Sequence, residues 1–201
     1  MALFRIGAAN EAANFIHGDG IYLRPGEMSD YAEWAALRET SRAFLTPWEP
    51  IWPADDLTRA AFRRRLKRHT EEIERDESYP FLIFRENDDT LIGGLTLSQV
   101  RRGVAQASTL GYWMGEPYSG KGHMSRAVRA TVAFAFATLR LHRVEAACLP
   151  HNVASIQLLE RVGFKREGYA RSYLRINGIW QDHVLFALVE TDPMAARIAQ
   201  D

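Results

Sequence analysis

Leu110-Gly111-Tyr112-Trp113-Met114, then Gly115-Glu116-Pro117, then Tyr118-Ser119-Gly120-Lys121-Gly122-His123-Met124 is the stretch that decides how this chain folds. The first five residues read as a strand and the glycines as a turn. From Met124 an apolar pattern at helical spacing continues to about Leu139. Strand, glycine-rich turn, helix points several backbone N–H groups at one spot, where the helix dipole adds its positive end. Such a spot attracts phosphate.

Three readings of the phosphate compete. Gly115 to Lys121 fits Gly-x-x-x-x-Gly-Lys, but a nucleotide-triphosphate loop needs Ser or Thr next to hold Mg²⁺, and Gly122 has no side chain. No apolar strand ending in Asp follows to make the second metal contact. A dinucleotide fold fares worse, because Gly-x-Gly-x-x-Gly is missing after the first strand. Glycines that merely turn the chain are the plain alternative, which the strand, the helix and Lys121 within the turn weaken.

Working outward, Ile21-Tyr22-Leu23-Arg24 is a short strand, and Ser29 is placed to cap a helix running to about Phe44. Pro47, Pro50 and Pro53 force the segment around Trp48 to be irregular. A second helix is expected over about 55–76. Strand patterns follow at 81–84, 91–100 and 104–114, and after the 124–139 helix a buried strand at 143–149. A helix at 152–162 stops at Gly163, and Asn177-Gly178 joins 164–176 to 179–189 as a hairpin. The order β-α-α-β-β-β-α-β-α-β-β gives an α+β domain with a mixed, mostly antiparallel sheet of about seven strands. One helical crossover joins a parallel pair.

Composition limits the possibilities. At 201 residues one domain is the default, with about 70% of the unfolded chain's surface buried. We assign residues 1–18 to an N-terminal arm, 19–192 to the domain and 193–201 to a tail. Lys+Arg and Asp+Glu are both 25, which argues against a general nucleic-acid or membrane-surface binder. A single cysteine, Cys148, permits no intrachain disulfide and fits a reducing cytoplasm. No secretory signal or membrane-length apolar run is seen, and the histidines lack paired metal-ligand spacing, so no metal is expected. Arg63-Arg64-Arg65-Leu66-Lys67-Arg68 is followed by Glu71 and Glu72 at i,i+4 spacing, which favours a self-paired solvent face over an RNA contact.

The loop resembles the acyl-CoA-binding motif of the GNAT N-acetyltransferases, Gln/Arg-x-x-Gly-x-Gly/Ala, with departures at Ser119 and Met124. Gly-Lys-Gly followed shortly by Met is similar to one branch, the ribosomal-protein alanine N-acetyltransferases of RimJ/RimL type. Phe44 to Pro50, Leu141 to Val144, Pro150 to Ser155, Leu159 to Phe164, Glu167 to Ala170 and Asn177 to His183 resemble that branch too, so the likeness covers roughly residues 20–190. It implies the GNAT fold, with helices on both faces of the sheet and a strand pair splayed around the coenzyme. It also implies an acetyl-CoA-dependent transfer to an amine in a ternary complex, with the N-terminus of a ribosomal protein as acceptor. A small amine (polyamine, amino acid or antibiotic) or a non-catalytic CoA-binding partner in ribosome assembly are the alternatives; monomer and homodimer both remain open.

By the same resemblance, the amides of Gly120, Gly122, His123, Met124 and Ser125, with Ser119 and Lys121, hold pyrophosphate. The backbone of Trp113 and Met114 lies beside the pantetheine arm. Asn152, a helix cap by sequence, also bonds that arm, and Ser155 faces the sulfur as proton donor. Glu145 is the candidate base, unless its side chain leaves the cleft for an ion pair. Cys148, three residues on, faces the other side of the strand. Trp48 and Glu49 wall the acceptor pocket, and Tyr173 is a further acid. An α-amine demands little of its base: roughly a tenth is neutral at pH 7, against about one part in two thousand for lysine.

Overall fold

The computed structural model describes residues 15–198. Its strands are β1 (Ile16–Gly18), β2 (Ile21–Arg24), β3 (Tyr79–Arg85), β4 (Leu91–Arg101), β5 (Ala107–Met114), β6 (Arg143–Cys148), β7 (Lys165–Ile176) and β8 (Ile179–Val189). Its helices are α1 (Tyr31–Thr40), α2 (Arg42–Leu45), α3 (Arg59–Glu74), α4 (His123–Ala137), α5 (Val153–Val162) and α6 (Pro193–Ile198). The strands form one sheet in the order β1-β2-β3-β4-β5-β6-β8-β7, so β7 is an edge. Every neighbouring pair is antiparallel except β5–β6, which α4 joins as a crossover.

The sheet separates two apolar layers. On one face α4 presents Ala127, Val128, Val132 and Ala135, and α5 presents Ile156, Leu159 and Val162; they pack with Leu110, Val144, Ala146 and Phe186. The i, i+1, i+5, i+8 spacing of the α4 set is one stripe of a 3.6-residue helix. On the other face Trp34 and Leu37 of α1 and Phe62 of α3 cover Phe84 and Leu91. Each fully buried large apolar side chain contributes roughly 1.5–3 kcal/mol relative to exposure.

Several elements differ from the sequence reading. Among the described residues there are eight strands, the added one being β1, drawn from residues assigned to the arm. Three residues containing His17 and Gly18 give no alternation to read, yet Ile16 is buried. The rest of that arm, 1–14, lies outside the described residues. The tail contributes α6, whose Ala195 and Ile198 join the core. Ser29 is not the cap: Asp30, gripped by Arg24 at 2.6 and 2.8 Å, accepts the Glu27 N–H at 2.7 Å instead. The first helix breaks at Ser41, whose fully buried hydroxyl accepts the Glu116 N–H at 2.9 Å. The long second helix begins only at Arg59, capped by Thr58.

Other expectations hold. Asn177 and Gly178 both have positive φ, as the tight turn requires. The basic run on α3 is internally paired, Lys67 with Glu71 and Arg68 with Glu72, while Arg64 and Arg65 reach Asp55 and Asp56. No described helix is long and apolar enough to cross a membrane.

Candidate active site

The parallel pair comes apart partway along. β5 and β6 stay in register from Ala107–Arg143 to Leu110–Ala146, and there the ladder stops. β5 runs on to Met114 and β6 to Cys148 unpaired with each other, while β5 remains bonded to β4 as far as Gly93–Met114. Residues 111–114 thus keep one main-chain edge free. An extended ligand can pair there as a strand would. A cleft of about 570 Å³ occupies the gap and runs from the glycine loop to the Trp48 segment.

The glycine loop forms one end. A 3-10 turn at Glu116–Tyr118 leads to Gly120 and Gly122, with φ of +71° and +81°. A Cβ at either would meet no atom within 4 Å, so both glycines border open space. Gly122 precedes α4 without a side-chain cap, and the first main-chain bond of that turn is Arg126 N–H to Gly122 O at 3.2 Å. The amides of His123, Met124 and Ser125 are therefore free to face an anion. The His123 imidazole titrates below its ordinary value because of burial and the nearby cations Arg126, Arg85 and Lys121. Arg85 and Arg126 do not line the cleft themselves; they are paired with Asp88 and Asp19. Ser119 and Lys121 bond within the loop, to Glu116 O and Pro117 O at 2.9 and 2.8 Å. Met124 is buried in the core, so only its backbone reaches the loop.

Across the gap stands α5. Asn152 caps it, its Oδ1 accepting the Ser155 N–H at 3.1 Å. The Ser155 hydroxyl lies 2.7 Å from the hydroxyl of Tyr112 on the free part of β5, so the pair bridges the splay. Burial pushes the Tyr112 phenol well up, against a smaller opposite effect of Ser155, and it stays protonated. Burial likewise raises the Cys148 thiol, which also lines the cleft. Tyr112 was missed because it sits mid-strand with no motif around it.

The rest of the cleft crosses to the α1–α3 face. Trp48 and Glu49 line it as expected. Glu49 is committed, however: both oxygens accept from Arg38, at 2.8 and 2.6 Å, and Oε2 also accepts the Trp52 indole N–H at 2.7 Å. The Trp113 ring sits on this face, 4.8 Å from the Arg38 guanidinium and so close to Gly94 that any side chain there would collide. Trp113 therefore offers the cleft its backbone beside Met114.

Two expectations fail geometrically. Glu145 does not reach the cleft; Ala146, Ala147 and Cys148 after it do, and Glu145 is engaged by Arg101 and Arg143. Glu145 pairs with Thr109 where the β5–β6 ladder is still closed, short of the opening, and the ion pairs take its carboxylate. Tyr173 is half exposed and packs edge-on against His183 rather than lining the cleft, whereas Leu174, Ile176 and His183 do line it.

Residues 21–165 match the acetyltransferase (GNAT) domain family. The chain is 40% identical over 177 residues to the probable N-acetyltransferase YjcK of Bacillus subtilis (strain 168), covering 88% of this chain and 98% of that one. It is 38% identical over 152 residues to the ribosomal protein uS5-alanine N-acetyltransferase of Escherichia coli (strain K12), 76% of this chain and 78% of that one. Among solved structures, the ribosomal-protein-S5-alanine acetyltransferase from Vibrio fischeri matches with TM-score 0.82 and 32% identity over 89% and 97% of the two chains. Mycobacterium smegmatis RimJ in complex with CoA-disulfide matches with TM-score 0.82 and 30% identity over 90% and 88%. A splayed parallel pair, a glycine loop at a helix N-terminus and these likenesses agree: the chain belongs to the GNAT acetyltransferase family.

Proposed function

We infer that this acetyl-CoA-dependent acetyltransferase acts on the N-terminal α-amine of a protein, with a ribosomal protein as the acceptor its relatives favour. The observation that carries the reading is the continuous cleft. It joins the phosphate-binding loop on one face of the sheet to an apolar pocket at Phe44, Leu45 and Trp48 on the other, through the β5–β6 gap. A thioester laid in the gap is reached by the amine from the opposite face, which suits direct attack without a covalent enzyme intermediate.

The loop amides and nearby cations hold the pyrophosphate, and the free edge of residues 111–114 pairs with the pantetheine arm. The amine nitrogen adds to the carbonyl carbon, and a main-chain N–H of that edge stabilises the oxyanion. As the C–S bond breaks, Ser155 gives its proton to the thiolate, while the Tyr112 hydroxyl, which stays protonated, holds the serine hydroxyl in place at 2.7 Å. Asn152 fixes the start of α5 and so the position of Ser155.

Peptides beginning with Ala or Ser, incubated with the enzyme and acetyl-CoA, should release free CoA and gain one acetyl group at the α-nitrogen. Absence of CoA release with any amine overturns the enzymatic reading. Turnover of a polyamine, amino acid or antibiotic without turnover of peptides moves the acceptor to small amines.

A further inference from the structure

With Glu145 turned away and Glu49 held by Arg38 and Trp52, the reaction above lacks a group to take the proton of the incoming ammonium. We propose that His183 is that base, a role that rests on the α-amine reading of the acceptor. His183 is 2% exposed and lies on β8 one residue beyond Val184, the last partner of β6. It therefore stands at the level where the sheet opens, and it lines the cleft with Trp48 and Ala147.

Its tautomer is set by geometry. Nδ1 lies 3.0 Å from the carbonyl oxygen of Gln181, and a carbonyl can only accept, so Nδ1 carries the hydrogen. Nε2 then keeps its lone pair. Among the described residues Nε2 has no hydrogen-bond partner, yet it is not one of the sealed, unpartnered polar atoms, so the cleft is what it meets. The ring is braced as well. Tyr173 packs edge-on at 5.8 Å, and Tyr173 is placed by a bulge in β7 between Ala170 and Leu174. Asp182 pins that bulge by accepting the Ser172 N–H and the Tyr169 hydroxyl, each at 2.8 Å. Bulges re-aim side chains beside active sites, and here the device holds one imidazole.

The protons balance. An ammonium acceptor loses one proton to Nε2, which passes it to solvent. The neutral amine attacks, and its second proton replaces the one Ser155 gave to the CoA thiolate.

The test uses the whole chain and two acceptors: a peptide with an ordinary N-terminal alanine, and the same peptide carrying an aminooxy group, which is already neutral at working pH. Turnover of the first by the wild-type enzyme tests the acceptor reading separately. His183→Ala and the bulkier His183→Gln should lose about 10²-fold in kcat on the alanine peptide. On the aminooxy peptide they should lose less than about threefold, with acetyl-CoA affinity unchanged in both. Equal loss on the two acceptors, in whichever variant binds acetyl-CoA normally, assigns His183 a packing role and overturns the proposal. So does full activity on the alanine peptide.

Discussion

At the Gly122 end of the cleft the ligand meets main-chain amides from a single run of sequence, residues 120–125, held open by left-handed glycines and a helix N-terminus. At the Trp48 end it meets side chains from α2, the proline-rich loop, β6 and the β7–β8 hairpin. The first wall is a property of local backbone conformation. The second exists only once the sheet has brought distant segments together, and its carboxylate residue is tied to groups behind it: Glu49 to Arg38 and Trp52, and the Asn177 N–H to Glu49 O at 2.8 Å. A wall of backbone presents the same face to every acetyl-CoA. A wall of side chains can tell one acceptor from another, and under the proposed function the choice of acceptor lies there.

The largest effect should come from breaking the side-chain wall. The side chains of Arg38 and Glu49 are only 8% and 19% exposed. Glu49→Gln leaves a buried guanidinium without its counter-charge and should lower unfolding free energy by about 3 kcal/mol, read from denaturant titration. A loss under about 1 kcal/mol would mean that the pair is a loose surface contact. Next, Ser155→Ala should reduce kcat by about 10²-fold, near 2.7 kcal/mol, while acetyl-CoA affinity holds in equilibrium binding. Retention of kcat would remove the hydroxyl from the proton path.

The backbone wall is probed by Gly122→Ala. The new methyl enters the open space meant for phosphate, and φ of +81° strains it by about 1–2 kcal/mol. Acetyl-CoA should bind more than about tenfold weaker, with only a modest fall in Tm. Valine would be a poorer probe, since a β-branched residue is strained further at that φ and confounds folding with binding. Unchanged affinity in a folded variant would displace the coenzyme from this loop. Smallest of all, Glu145→Gln should leave kcat within about twofold and cost under about 1 kcal/mol, as expected of a partly exposed ion pair. A large loss of kcat would return Glu145 to the chemistry.

What the sequence disclosed follows the same division. The glycine loop, the Asn152 cap and the Asn177-Gly178 turn each need particular residues at adjacent positions, so they could be read directly. The mostly antiparallel sheet with one parallel pair followed from hairpin signals and one crossover; that β8 rather than β7 lies beside β6 did not. β1 escaped because three residues show no periodicity, and the break at Ser41 because the reason for it, the Glu116 amide, is 75 positions away. Glu145 was misplaced because the point at which the β5–β6 ladder opens, one pair beyond it, has no local signal in the sequence. Tyr112 carries no local signature, and His183 closes the Asn177–His183 resemblance with nothing there to assign it a role. Only the end of the β5–β6 ladder and the bulge opposite Asp182 bring them to the cleft.

The outer edge of β7 has one more consequence. It is the terminal strand of the sheet, twelve residues long, and nearly all of it is exposed. An uninterrupted edge of that length would be a template for pairing with another chain. Here the bulge that braces His183 also breaks the straight run, and Lys165, Arg166, Arg171 and Arg175 place cations along it. The kink that serves the cleft therefore also interrupts the straight ladder that a second chain would need to pair along β7.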